Sequence, residues 1–182
     1  MKIAVCTIGS RGDVLPFLVL GDALAKRGHE VRLATAAMYA SLASRYGVAF
    51  VPFKGDYAAF VESGETKKAI GGNPLSAGRR LREKLYPIIE NSLDTFLDVA
   101  LWADRVIYHP KTLVDAFGSK FPQKLIKAYV VPAFTPTNAF PSPIYSGLPI
   151  PRLFNKHSLK NNFTLLISEL GYNSTWETSC EA

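Results

Sequence analysis

KIAVCTIGSRGDVLPFLVLGDALAKRGHEVRLAT, residues 2–35, decides the fold class, because it reads as strand, turn, helix, turn, strand. Residues 2–8 are apolar and partly β-branched, and Gly9 stops them, which predicts a short buried strand. From Pro16 to Gly28 apolar side chains recur at Phe17, Leu20, Ala23 and Leu24, the spacing of a helix. Lys26 and Arg27 occupy its last turn, where they complement the helix dipole, and Gly28 is a C-terminal stop. Val31 and Leu33 alternate within residues 29–35 and predict a second strand. Two such strands joined through a helix form a right-handed crossover in a parallel sheet.

The same alternation continues outward. Residues 38–47 predict a helix ending at Gly47, and residues 48–53 a third strand. Residues 54–78 are punctuated by Gly55, Gly64, Gly71, Gly72 and Pro74 and predict loops with a short helix around Tyr57 to Glu62. Residues 79–103 return to helical spacing, with Pro87 predicted to kink or divide the helix. A fourth strand (104–109), a helical segment (111–121) and a fifth strand (124–132) follow. A proline-rich connection then leads to a last amphipathic helix at 157–170. The predicted class is α/β: a parallel sheet flanked by helices, with residues 1–150 as the domain and 151–182 as a C-terminal extension.

Composition narrows the chemistry. With 182 residues, 48% of them hydrophobic, the chain is long enough to bury one sizeable core. The net charge of +6, from 21 basic and 15 acidic side chains, carries no nucleic-acid motif, and no nucleic-acid partner is expected. Cys6 and Cys180 match no metal spacing and no disulfide framework, so a cytoplasmic chain is expected. The Asn162 and Asn173 sequons read as chance matches in that setting. No apolar run approaches the ~20 residues of a membrane helix. The basic cluster Arg79, Arg80, Arg82 and Lys84 is read either as a solvated face or as a peripheral membrane contact.

The turn TIGSRGDVLP, residues 7–16, carries the candidate site. A dinucleotide fingerprint is excluded, because Arg11 and Val14 stand where its second and third glycines belong and residues 34–35 supply no acidic partner for a ribose. No Gly-Lys-Ser/Thr follows, which excludes a P-loop. What remains is a tight turn at the carboxyl end of a parallel strand, where backbone N–H groups favour an anion. By spacing alone, Asp13 is either a helix cap with no chemical role or a reactive carboxylate.

Gly9 to Pro16 and Gly28-His29-Glu30-Val31 resemble the amino-terminal end of family 1 and family 28 glycosyltransferases of the GT-B fold. The resemblance is to the subgroup of sterol glucosyltransferases and glycopeptide-antibiotic glycosyltransferases. It extends through GVAFVPF, ADRVIYHP and AFTPTNAFPSP to a late run containing Asn155, Ser158 and Trp176. It implies a Rossmann-like domain, one half of a GT-B fold, that holds the acceptor of an inverting hexosyl transfer needing no metal and no cofactor beyond a nucleotide sugar.

The resemblance further implies Asp13 as catalytic base, and Gly9, Ser10, Arg11 and Gly12 as contacts to the donor phosphates. His109, Phe134, Thr135 and Phe140 are the candidate acceptor contacts. The implied partners are a hydrophobic or lipid-like alcohol and a UDP- or TDP-sugar. Family enzymes carry a second, donor-binding domain, and no donor motif of the type His-x-Gly-x-x-Thr/Ser occurs here. The chain is therefore expected to be a fragment or one subunit of a split enzyme, inactive alone. The alternative is a non-catalytic Rossmann-like binding module.

Overall fold

The structure, a computed structural model, describes residues 1–53, 57, 74–130, 139 and 151–154, with no side-chain description for residues 74–86 or 153. Strands β1 (Lys2–Cys6), β2 (Glu30–Ala36), β3 (Ala49–Phe53), β4 (Arg105–Tyr108) and β5 (Leu125–Lys127) form one sheet in the order β3-β2-β1-β4-β5. Every pairing is parallel, in registers such as Cys6 with Ala34 and with Tyr108. Residues Ile3 to Cys6 are all buried. Side chains alternate between faces along a strand, so an unbroken buried run means that both faces of β1 are covered. Helix α1 (Arg11–Lys26) supplies Val14, Phe17 and Leu18 to that core, and helix α3 (Pro74–Trp102) supplies Ile88, Ile89, Leu93, Phe96, Val99 and Ala100. Between them lies the single-turn helix α2 (Ala40–Ala43).

Strand order fixes where a ligand can sit. From β1 the chain moves one way to β2 and β3; β4 returns to the other side of β1 and β5 lies beyond it. The segments leaving the carboxyl ends of β1 and β4 therefore diverge, and a crevice opens between them at the switch point of the sheet.

Several element bounds differ from the sequence expectation. Helix α1 starts at Arg11, with Ser10 as N-cap and Pro16 inside it. Pro16 and Gly12, whose carbonyl the missing N–H of Pro16 would have met, are both exposed, so the lost hydrogen bond falls on the solvent face. The stop at Gly28 holds: its φ is +85°, its N–H bonds the Ala25 carbonyl at 2.9 Å, and the His29 N–H bonds the Leu24 carbonyl at 3.2 Å. This is a Schellman closure.

The helix expected at 38–47 is reduced to a 3₁₀ turn, Ala37–Tyr39, and α2. Beyond α2 the Ser44 hydroxyl donates to the Ser41 carbonyl, and the Tyr46 N–H bonds the Ala43 carbonyl. Both take acceptors that further helical turns would use. Helix α3 runs through Pro87 undivided, and the Pro87 ring is exposed.

The helical segment expected at 111–121 is two 3₁₀ stretches, Pro110–Thr112 and Val114–Lys120, separated by buried Leu113 at φ +57°. A left-handed residue cannot continue either helix. Strand β5 is three residues long, although the Ala128 N–H still reaches the Tyr108 carbonyl at 2.9 Å. The expected helix at 57–62, but for Tyr57, the expected helix at 157–170 and most of the proline-rich stretch lie outside the described residues, as does the boundary at 150. Arg152–Phe154 is a 3₁₀ turn.

Candidate functional site

The site begins one residue beyond β1. The Thr7 N–H bonds the Ala34 carbonyl at 3.1 Å, carrying the ladder one step further, and the Thr7 hydroxyl donates to the Asp13 carbonyl at 3.1 Å. Gly9 then turns at φ +139°, a conformation side chains rarely adopt. A Cβ there would lie 2.3 Å from Asp13 Oδ2, so the carboxylate occupies space that only glycine leaves open.

Ser10 is extended and opens α1, with Asp13 at the third helical position in a capping-box arrangement. The Ser10 N–H donates to Asp13 Oδ2 at 2.8 Å, and the Ser10 hydroxyl donates to the same oxygen at 3.0 Å. On the other side of that peptide, the Gly9 carbonyl accepts the Tyr39 hydroxyl at 2.8 Å. Tyr39 thereby holds the peptide plane that aims the Ser10 N–H at the carboxylate.

The second wall follows β4. The His109 N–H bonds the Cys6 carbonyl at 2.9 Å, tying this segment to β1. The His109 ring is wholly buried, edge-on to Phe17 with centroids 5.9 Å apart. Its Nδ1 accepts the Lys111 N–H at 3.1 Å, which assigns the proton of the neutral ring to Nε2. Nε2 lies 3.9 Å from Asp13 Oδ1. The Lys111 Nζ donates to that same Oδ1 at 2.8 Å.

The electrostatics follow from these contacts. Burial pushes the Asp13 carboxyl up, but the Lys111 ammonium and the two Ser10 donors outweigh it and hold the group below the ordinary carboxylate range. Burial, helped by the Lys111 charge and opposed by Asp13, lowers His109 to about 4. At neutral pH the site therefore holds an ionised carboxylate, a neutral imidazole and an ammonium. Its two carboxylate oxygens differ: Oδ2 is held by its own helix, whereas Oδ1 faces groups from the β4 side.

The structure brings Gly9, Asp13 and His109 together at the switch point. Ser10, Arg11 and Gly12 are exposed at the start of α1, and Gly9 is buried beneath them. His109 is wholly buried beside the carboxylate, and the oxygen it faces is Asp13 Oδ1. Phe134, Thr135 and Phe140 lie outside the described residues, as do the side chains of Arg79, Arg80, Arg82 and Lys84. Among the described residues no group of three or more His, Cys, Asp or Glu is placed to hold a metal, and no helix is long and apolar enough to cross a membrane.

Sequence reasoning missed Lys111 and Tyr39. The signal for Lys111 was its place two residues after His109, at the end of the strand that neighbours β1. Tyr39 had no comparable signal, since one aromatic after a strand is ordinary core composition.

Residues 3–102 match the family described as the glycosyltransferase family 28 N-terminal domain. A sterol 3-beta-glucosyltransferase of Arabidopsis thaliana is 34% identical over 155 residues, covering 79% of this chain and 24% of that protein. An O-mycaminosyltylonolide 6-deoxyallosyltransferase of Streptomyces fradiae is 34% identical over 122 residues, 65% of this chain and 28% of that protein. The chain thus spans a minor part of either relative's length. Among solved structures, a glycosyltransferase of Streptomyces sp. SF2575 superposes with a TM-score of 0.55 at 19% identity, over 94% of this chain and 46% of that one. That likeness establishes the fold: the sheet and its flanking helices are those of a GT-B glycosyltransferase half.

Proposed function

We propose, since this chain belongs to the family of glycosyltransferase family 28 N-terminal domains, that it is the acceptor-binding half of an inverting hexosyltransferase in which Asp13 is the base. The observation that carries the reading is Asp13 itself: an ionised, largely buried carboxylate at the switch point, with one oxygen fixed by Ser10 and the other turned toward the β4 segment.

In the proposed reaction the oxygen of an acceptor hydroxyl attacks the anomeric carbon of a nucleotide sugar. The bond from that carbon to the diphosphate oxygen breaks, and the nucleoside diphosphate leaves with the electron pair. The hydroxyl proton passes to Asp13 Oδ1. Ser10 and Arg11, with the N–H groups around Gly9 and Gly12, contact the donor phosphates at the start of α1. Phe134, Thr135 and Phe140 border the acceptor, which is a hydrophobic alcohol, in keeping with a sterol and a tylonolide in the relatives' names, whereas the wholly buried His109 bears on it only through Asp13 Oδ1. No metal takes part, and the UDP- or TDP-sugar is held mainly by a second domain. On this reading the chain works in the cytoplasm, beside a membrane when the acceptor is a lipid.

The test supplies a donor-binding domain in trans and measures hexosyl transfer from UDP- and TDP-sugars to sterol-like alcohols. Removing a general base costs about 10²–10⁴-fold, so Asp13→Ala is expected to lose that much activity. Equal activity of wild type and Asp13→Ala would remove Asp13 from the chemistry. A second reading, a binding module without transfer, is favoured by the occupation of both Asp13 oxygens by protein donors. It predicts no transfer with any donor domain that binds the chain.

A further inference from the structure

Lys111 has no part in the reading above, yet it occupies the atom on which that reading depends. Oδ2 of Asp13 already accepts two Ser10 donors. Oδ1 is the oxygen that an acceptor hydroxyl would meet, and the Lys111 Nζ sits on it at 2.8 Å. The pair is unequal in access: the Lys111 side chain is 35% exposed and the Asp13 side chain 10%. The ammonium is therefore the member that reaches solvent.

The remaining groups facing the carboxylate carry no charge at neutral pH. Ser10 and the Tyr39 hydroxyl come from the segments after β1 and β2. Tyr57, raised to about 12 chiefly by burial, comes from beyond β3, and His109, lowered to about 4, from the β4 side. Lys111 is thus the cation at Asp13 among the described residues.

The Lys111 backbone is held within its turn, and its ammonium is held by Asp13 Oδ1. Its N–H is held by His109 Nδ1 inside the Pro110–Thr112 turn, which begins with a proline and ends at left-handed Leu113. Movement is left to the four-carbon stem. Chemically the contact opposes base catalysis, since an ammonium in hydrogen-bond contact favours the carboxylate over its protonated form. The exposed residues 10–12 at the start of α1 immediately precede Asp13, the residue that the Nζ contacts.

Resting on the reading of Asp13 as base, we propose that Lys111 is a positioning residue that latches Asp13 Oδ1 and, when a nucleotide sugar arrives, moves its ammonium to the diphosphate, releasing that oxygen for the acceptor hydroxyl. The ligand class is a nucleoside diphosphate. The departing ammonium gains an anion in exchange for the one it leaves, and Asp13 becomes the stronger base only when the donor is present.

The test follows the Asp13 carboxyl carbon by NMR titration in the 182-residue chain, with Asp13→Asn assigning the signal and inorganic pyrophosphate as probe. In wild type the carboxyl is expected to titrate below the ordinary aspartate range. Lys111→Met moves the titration up, and Lys111→Arg, which keeps the cation, leaves it low and reports an intact fold. Saturating pyrophosphate is expected to raise wild type more than Lys111→Met, bringing the two curves together. A Lys111→Met titration equal to wild type overturns the latch, and an equal pyrophosphate shift in both chains, or none, overturns the transfer. Failure of Asp13 as base is read separately, in the Asp13→Ala transfer assay, where Lys111 is unchanged.

Discussion

Gly9→Ala tests whether the turn after β1 was built around the Asp13 carboxylate. Two costs add. The residue must hold φ +139°, and a non-glycine residue in that region costs about 1–3 kcal/mol. The new methyl would lie 2.3 Å from Asp13 Oδ2, 2.7 Å from its Cγ and 2.9 Å from its Cβ, so the carboxylate must leave its place. That breaks its hydrogen bonds from Ser10, and a bond to a charged group contributes about 1.5–3 kcal/mol. A loss of about 2.5–6 kcal/mol is expected, or roughly 5–24 °C in melting temperature at this chain length. Denaturant unfolding followed by far-UV circular dichroism measures it.

The decisive form is a double-mutant cycle with Asp13→Ala. Without the carboxylate, Gly9→Ala keeps its backbone strain and the contact at Cβ but loses the clash with Oδ2 and Cγ. The two substitutions should then be less harmful together than their sum by about 1.5–3 kcal/mol. Additivity within about 0.5 kcal/mol would refute the argument, since it would mean that Gly9 is needed for its backbone alone.

Two further outcomes follow from the neighbours of that carboxylate. His109 falls from 6.5 to about 4 in the folded chain, so its contribution is whole above pH 6.5 and drains away as pH drops toward 4, where the unfolded chain takes a proton that the native ring refuses. The linked loss is about 3 kcal/mol, and His109→Asn, which keeps an acceptor for the Lys111 N–H, should flatten stability against pH over that window; an unchanged slope would refute it. Tyr39→Phe removes the donor to the Gly9 carbonyl and should cost about 1–2 kcal/mol while speeding hydrogen exchange at the Ser10 amide. Unchanged exchange at Ser10 would show that Tyr39 does not hold that peptide.

The fold was legible where pattern and context agree. Strands β1 to β4 and helix α1 follow from apolar runs and from the Gly28 stop, because both signals are local. The errors fall where local signals are outvoted. Pro16 looked like a helix start, yet Ser10 caps the helix six residues earlier and an exposed Pro16 is tolerated within it. Residues 111–121 have helical composition, but the burial of Leu113 in a left-handed conformation divides them. Neither preference of tertiary packing over local propensity is visible in spacing.

The site shows a different limit. Spacing left Asp13 as either a cap or a base, as though one role excluded the other. The structure gives the two oxygens different partners: Oδ2 accepts from Ser10 and caps the helix, and Oδ1 faces the β4 segment and accepts from Lys111. A cap fixed this way also fixes the orientation of the second oxygen, the preorganisation that the proposed role as base requires. The partner of that oxygen was beyond a local reading, because Lys111 is 98 positions away. It reaches Asp13 only because β4 lies beside β1, a consequence of strand order. Residue type at position 13 thus supplied the proposed base, and topology supplied its ionic partner.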